Sequence, residues 1–298
     1  MYLTGFADEG AAGIDGQIEA TKALGWSSIE ARAVGGRNIH DISDAEFDEV
    51  AAKLDAAGVR INCFGSAIAN WAKSVESEDD FAKDMEQVRR AIPRMLRLGT
   101  KLVRIMSYAV IKDRPPEDQM KEKRFERLRA ISGEFLAAGI QPVHENCMNY
   151  GGMGWSYTLE ILDNVPGLKL VFDTGNPIFN ADRTKPEPWP MQDVFEFWRA
   201  VREHVVYIHV KHGRMVGPDM VYSYPDEGPD SARRVIEDAV ARGYDGGFSI
   251  EPHLAIIFHG SDGKPDPEKM RRTYVEYGRR TERMVREACA KAGREFRG

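Results

Sequence analysis

Ala138-Gly139-Ile140-Gln141-Pro142-Val143-His144-Glu145-Asn146-Cys147 reads as the end of a helix followed at once by a strand. A glycine just past the last helical turn can take the left-handed conformation that closes it, and the run after it is rich in residues that suit a pleated sheet. Leu24-Gly25, Ala57-Gly58, Leu98-Gly99 and Arg242-Gly243 repeat the phrase. With strands expected at 27–32, 59–66, 101–108, 141–147 and 248–253 after these five stops, the remaining β-like runs are 2–7, 168–176 after Pro166-Gly167, and 205–212 after a helix ending near Glu203. That makes eight strands.

The segments between them carry helical signals. Ser43-Asp44-Ala45-Glu46 is a capping box, and Phe47, Val50, Ala51 and Leu54 follow at i, i+3, i+4 and i+7. Asp266-Pro267 sets a cap residue before a proline at the first helical position, opening a helix that is expected to run to about Ala292. Eight β/α units at about 37 residues each, from 298 residues, favour a single-domain (β/α)8 TIM barrel over residues 1–298, whose typical length is roughly 250 residues; a doubly wound sheet is the rival. Connections from helix to strand are short, whereas the strand-to-helix loops 109–117, 177–189, 213–228 and 254–266 are long. In a barrel these all lie on the face that carries the active site.

Composition narrows the classes of function. Lys+Arg 41 against Asp+Glu 47 gives a net charge of −6, so no overall positive field gathers nucleic acid. No apolar run approaches the roughly 20 residues needed to span a bilayer. The N-terminus, with Asp8 and Glu9 where an export signal would place apolar residues, has no leader pattern. Cys63, Cys147 and Cys289 form no CxxC and leave an odd cysteine, which argues against a disulfide frame and points to the reducing cytoplasm.

Strand alternation selects the side chains that face the barrel axis. With Ile208 and Val210 facing the helices, Tyr207, His209 and Lys211 face inward; Phe248 and Ile250 outward turn Glu251 and His253 in; Leu170 and Phe172 outward turn Asp173 in; and Val143 inward brings Glu145 and Cys147 with it. Glu145, Asp173, His209 and Glu251 thus converge at the ends of consecutive strands. Two Glu, one Asp and one His form a mixed oxygen and nitrogen set with three negative charges, suited to one divalent metal ion, Mn²⁺ first and Mg²⁺, Co²⁺ or Zn²⁺ as alternatives. The competing reading pairs these carboxylates with Arg32, Arg104 and Lys211, which the same alternation also turns inward.

The phrases His144-Glu145-Asn146, Val171-Phe172-Asp173-Thr174-Gly175-Asn176, Tyr207-Ile208-His209-Val210-Lys211 and Ser249-Ile250-Glu251 resemble the xylose-isomerase-like TIM-barrel superfamily, the sugar phosphate isomerase/epimerase family. The resemblance implies a single divalent metal held by Glu145, Asp173, His209 and Glu251. It also implies two catalytic glutamates, Glu145 and Glu251, that remove and return a proton on opposite faces of the substrate. Ketose 3-epimerases of this superfamily usually carry a His three residues after the Asp, a Glu six after the first Glu and an Arg six after the metal His. Here Asn176, Gly151 and Met215 stand at those places, with Arg214 one place early. The trinuclear endonuclease branch needs further His and Asp ligands, and Asn176, Tyr222 and Tyr224 occupy those positions.

The expected activity is therefore metal-assisted isomerisation or epimerisation of a sugar, keto-sugar or cyclitol, by proton transfer next to a carbonyl. The first alternative is a dehydratase or a lyase on a 3-keto-glycoside, with His144, His212 or His253 as base. The second is a metal-bearing barrel without turnover. Substrate contacts are sought among Trp71, Tyr108, His144, Asn146, Asn176, Lys211, His212, Arg214 and His253, and further among Tyr150, Trp155 and Tyr222, on strand ends and loops; alternation turns His144 outward, towards a packed or hydrogen-bonded role. The expected partner is a small carbohydrate, with neither nucleic acid nor membrane. The basic last helix, Arg271 to Arg286 with interspersed Glu, reads as an ion-paired solvated face or as the contact of a homo-oligomer. Gly151-Gly152-Met153-Gly154 reads as a place of close backbone approach rather than a dinucleotide loop.

Overall fold

The computed structural model describes residues 1–228, 231–255 and 266–296. Eight parallel strands, β1 Tyr2–Gly5, β2 Ser28–Ala31, β3 Arg60–Gly65, β4 Leu102–Ile105, β5 Gln141–Glu145, β6 Lys169–Asp173, β7 Val205–Val210 and β8 Gly247–Ile250, form one sheet. Their spatial order is β1-β8-β7-β6-β5-β4-β3-β2. A parallel bridge between Phe6 and Glu30 joins the two ends, so the sheet closes into a barrel.

A helix follows each strand: α1 Ile14–Ala23, α2 Asp44–Ala57, α3 Glu78–Leu98, α4 Lys121–Ala137, α5 Trp155–Asn164, α6 Val194–Val201 after a short Asn176–Phe179 turn of helix, α7 Ser231–Ala241 and α8 Pro267–Lys291. The five glycines at the helix stops, 25, 58, 99, 139 and 243, all have φ between 65° and 90°, the left-handed closure their positions called for. The Ser43–Glu46 box is formed in both directions, and Asp266 caps α8 by accepting from Glu268 N. Among the described residues no helix is long and apolar enough to cross a membrane.

Two apolar layers result from the alternation. Ile208, Val210, Phe248, Ile250, Leu170 and Phe172 join the large cluster between sheet and helices, whereas Cys63, Val143, Val171 and Tyr207 fill the barrel below its mouth. The floor of the mouth is therefore packed, and polar groups above it face a closed apolar plug.

The strands stop earlier than the alternation implied. Runs expected to reach 176, 212 and 253 end at Asp173, Val210 and Ile250, because the polar residues there satisfy the backbone differently. Oδ1 of Asp173 accepts from the N–H of Gly175 and of Asn176 at 2.8 and 2.7 Å, which ends β6 and starts the short helix. The 213–228 connection is not a plain loop, since Gly213–Val216 pairs antiparallel with Asp219–Tyr222. A second small hairpin joins Ala33–Val34 to Arg37–Asn38. Most of the 254–266 connection, residues 256–265, lies outside the described residues.

Candidate metal centre at the barrel mouth

Glu145 closes β5, Asp173 closes β6, His209 lies one residue before the end of β7 and Glu251 directly follows β8. All four are at most 3% exposed, and one ligand atom from each lies within 4.8 Å of the others. Nδ1 of His209 stands at the centre, 3.6 Å from Oε1 of Glu145 and 3.9 Å from both Oδ2 of Asp173 and Oε2 of Glu251. His209 Nδ1, Asp173 Oδ2 and Glu251 Oε2 are buried without a hydrogen-bond partner. The two oxygens share the Lys211 ammonium as an ion-pair partner at 3.2 and 2.9 Å, and three buried atoms of this kind aimed at one point fit a bound cation.

The groups around this centre hold each ligand. Nε2 of His209 lies 3.2 Å from Glu30, which turns Nδ1 to the centre as the nitrogen that a metal would take on displacing its proton, the carboxylate–histidine arrangement that orients a ligand. Glu30 also accepts from Tyr207 and Ser249 at 2.9 and 2.6 Å. Arg104 pairs with Oε2 of Glu145 at 3.0 Å while Asn176 donates to Oε1 at 3.0 Å. Arg32 reaches Asp8, Glu9 and Glu251 at 2.8, 3.1 and 3.1 Å. The Lys211 ammonium lies 3.2 Å from Asp173 and 2.9 Å from Glu251. The ion-pair reading is realised, with Arg32 and Arg104 on the outward oxygens and Lys211 on two inward ones, while the four predicted ligands also point to a common centre that could hold a divalent ion.

Electrostatics follow this crowding. Burial raises Asp173 to about 6, opposed by Lys211 and reinforced by the Glu251 and Glu145 carboxylates. At Glu145 burial is outweighed by Arg104 and His209, which hold it down at about 2. Burial disfavours the His209 imidazolium, but Glu30 and Glu145 overcome it and push His209 up to about 10. Negative charge in excess draws in protons here, and a metal would release them.

The other predicted residues divide by position. Lys211, Asn176, His253 and Trp71 line a cavity of about 260 Å³ above the centre, together with Tyr222, Glu145 and Glu251. His253 sits between Glu9 (3.1 Å) and Glu251 (3.3 Å), and these three form a second group able to hold a cation. Seven residues sought as substrate contacts do not line the cavity. His144 lies behind β5 against Ser107 at 3.0 Å. Asn146 clamps the Asp173 backbone through both ends of its amide, at 3.1 and 2.7 Å. His212 meets Ser231 at 3.4 Å, Arg214 projects from the outer side of its hairpin into a different depression, and Tyr108, with φ +66°, is buried beneath Arg127. Tyr150 is likewise buried and donates to Glu160, and Trp155 faces an outer groove beside Asp193.

Glu30, Asp8 and Glu9 escaped the sequence reading. Glu30 was within its reach, because Ile29 and Ala31 pack outward in β2 and alternation turns Glu30 inward. At the glycine-rich segment, a Cβ on Gly152 would stand 1.6 Å from the Cys147 carbonyl oxygen, so the close approach expected there is an approach of backbone to backbone beside β5.

A family model described as xylose isomerase-like TIM barrel matches residues 18–280. No curated protein matches the chain. Among solved structures the chain is similar to a xylose isomerase-like TIM barrel protein from Mycobacterium smegmatis in complex with magnesium, at 16% identity over 97% of each chain with a TM-score of 0.69. It is also similar to D-psicose 3-epimerase with D-tagatose from Clostridium cellulolyticum H10, at 15% identity over 96% of this chain and 99% of that one, TM-score 0.65. The probable 3-DHS dehydratase AsbF, involved in petrobactin synthesis, from Bacillus anthracis shares 14% identity over 94% and 98%, TM-score 0.67. At these identities the structural likeness establishes the fold.

Proposed function

The chain belongs to the xylose isomerase-like TIM barrel family, and on that premise we propose that it is a divalent-metal-dependent isomerase or epimerase of a sugar, keto-sugar or cyclitol. The observation that supports this most is the convergence of Glu145, Asp173, His209 and Glu251 within 4.8 Å, with three of their atoms lacking a hydrogen bond. These four residues would hold the ion. When bound, a divalent cation supplies Lewis-acid polarisation of a carbonyl oxygen.

The chain's own residues do the rest. Glu145 and Glu251 enter the mouth from β5 and β8, with β6 and β7 between them, and a carbonyl compound seated over the centre lies between two carboxylates. Arg104 and Asn176 orient Glu145; Arg32, Lys211 and His253 orient Glu251. Both are held ionised, Glu251 because Lys211 and His253 outweigh its burial, so either can accept a proton from the carbon beside the carbonyl. The packed plug of Val143, Val171 and Tyr207 below them excludes water from beneath.

One observation favours elimination as a second reading. His253 lines the cavity 3.3 Å from Glu251 and can hand a proton to a departing hydroxyl or alkoxide. The test is incubation with keto-sugars in D₂O with Mn²⁺ or Mg²⁺, followed by NMR. Deuterium uptake at one carbon without loss of water supports isomerase chemistry, and an unsaturated product supports elimination. A Glu251→Gln variant that binds metal and substrate yet exchanges at the wild-type rate would remove Glu251 from the acid/base role.

A further inference from the structure

Two features of the same cavity bear on which carbohydrate enters it, and both rest on reading its floor as a metal-dependent sugar site. The first is charge. Around the centre stand six carboxylates, Asp8, Glu9, Glu30, Glu145, Asp173 and Glu251, all at most 5% exposed. Against them the described residues set three cationic side chains, Arg32, Arg104 and Lys211. Each already serves carboxylates: Arg32 three of them, Arg104 Glu145, and Lys211 two. Six carboxylates against three cations and a divalent ion leave no excess of positive charge among the described residues. A phosphate or carboxylate on the substrate would add further negative charge to this buried site.

The second feature is the rim. Trp71 from the β3–α3 connection, Met148 from β5–α5, Phe179 from β6–α6, and Met220 and Tyr222 from the hairpin after β7 line the same cavity. Four separate loops thus contribute one apolar collar. Met148 and Met220 are large hydrophobic residues left 38% and 42% exposed at its edge, and methionine adapts to variable apolar shapes. The polar groups that share this cavity outside the charged floor are the neutral amides Asn38, Asn70 and Asn180, suited to hydroxyls. A free sugar has no apolar end to cover such a collar.

We propose that the site takes an uncharged keto-sugar bearing an apolar substituent, an aryl or alkyl glycoside with a ketone on its ring, with that ring over Glu145 and Glu251 and the apolar group within the collar of Trp71, Met148, Phe179, Met220 and Tyr222. The test uses Mg²⁺-loaded full-length protein and unreactive probes: the 4-nitrophenyl and methyl glycosides of glucose and galactose in both anomers, and the 6-phosphates of the two free sugars. Binding is read by calorimetry and by saturation-transfer NMR. The expected result is that at least one 4-nitrophenyl glycoside binds tenfold or more tightly than its methyl counterpart. Trp71→Ala and Met220→Ser should each cut that ratio severalfold, and phosphorylation should give no gain over the free sugar. Met220 lies on an exposed hairpin strand, so its variant tests the collar without disturbing the core. Equal affinity for aryl and methyl glycosides, tighter binding of the phosphates, absence of binding by the whole series, or an aryl preference untouched by both substitutions would overturn the proposal. Repeating the titrations after chelation separates the two readings. If the metal-dependent floor is wrong, affinities do not respond to Mg²⁺; if only the collar is wrong, the Mg²⁺ response remains and the aryl preference is absent.

Discussion

Nζ of Lys211 lies 2.9 Å from Oε2 of Glu251 as an ion pair, and the same oxygen faces Nδ1 of His209 at 3.9 Å. The same ammonium lies 3.2 Å from Oδ2 of Asp173, a second such atom. A single positive charge therefore stands beside the point where a divalent ion would sit, compensating the carboxylates and competing with the metal. Lys211→Met should tighten Mn²⁺ or Mg²⁺ binding on the order of tenfold, about 1.4 kcal/mol, and lower the melting temperature of the metal-free protein. Calorimetric titration checks both; unchanged or weaker metal affinity would show that Lys211 does not oppose the ion.

Glu30 and His209 are 179 residues apart in the chain and 3.2 Å apart in the barrel. Because Nε2 of His209 is committed to Glu30, Nδ1 is the nitrogen turned to the centre, where a metal would displace its proton. Glu30→Gln keeps an acceptor but removes the charge that supports it, and second-layer partners of this kind are typically worth 10–100-fold in metal affinity. A loss of at least tenfold is expected by titration, with the melting temperature of the metal-free chain changed far less than the affinity.

Gly152 and Gly133 form a matched pair of glycine positions. A Cβ at Gly152 meets the Cys147 carbonyl oxygen at 1.6 Å, whereas one at Gly133, inside α4, meets nothing within 4 Å. Gly152→Ala should cost more than about 2 kcal/mol, since backbone would have to move. Gly133→Ala should stabilise by about 0.5–1 kcal/mol through helix propensity. Denaturant unfolding of both variants measures the two signs.

His144 supplies a pH dependence. Ser107 gives its hydroxyl proton to Asn149, so Nε2 of His144 is the donor to Ser107, and burial keeps the imidazole neutral. Burial lowers it to about 4, with Glu145 opposing, against an unfolded value of about 6.5. The unfolded chain then binds the extra proton first, so stability from this group is complete above about pH 6.5 and is lost as pH falls towards 4. The full loss is on the order of 3 kcal/mol. In His144→Asn the decline in unfolding free energy between these pH values should be shallower than in the wild type by that order.

The barrel was legible because its punctuation is local. Five glycines needed for left-handed closure marked the helix ends, and period-two alternation sorted Ile208 and Val210 from His209 without any knowledge of partners. Glu145, Asp173, His209 and Glu251 followed from that sorting and the family resemblance. What failed to show was non-local or lay beyond regular structure. Asn146 sits one residue past β5, where alternation no longer governs, and its amide instead bonds the backbone of Asp173. His144 obeyed alternation and turned outward, against a hydroxyl that belongs to a different loop. Arg214 and Tyr222 were read in one loop, yet antiparallel pairing sends Arg214 out and Tyr222 over the cavity. Gly217-Pro218 at the turn of that hairpin was the available signal. The inward pairing of Glu30 with His209 needs strand order, which no single segment specifies.

A divalent ion on four strand-end residues is measurable as metal content. The protein would be purified without added metal and its bound metals measured by mass spectrometry, alongside Glu145→Gln and His209→Ala. About one Mn, Mg, Co or Zn per chain is expected in the wild type, lost in both variants, with thermal stabilisation of the wild type by the same ion. A wild-type protein that carries no metal, and whose melting temperature no divalent ion raises, would contradict it and leave the carboxylates as partners of Arg32, Arg104 and Lys211 alone.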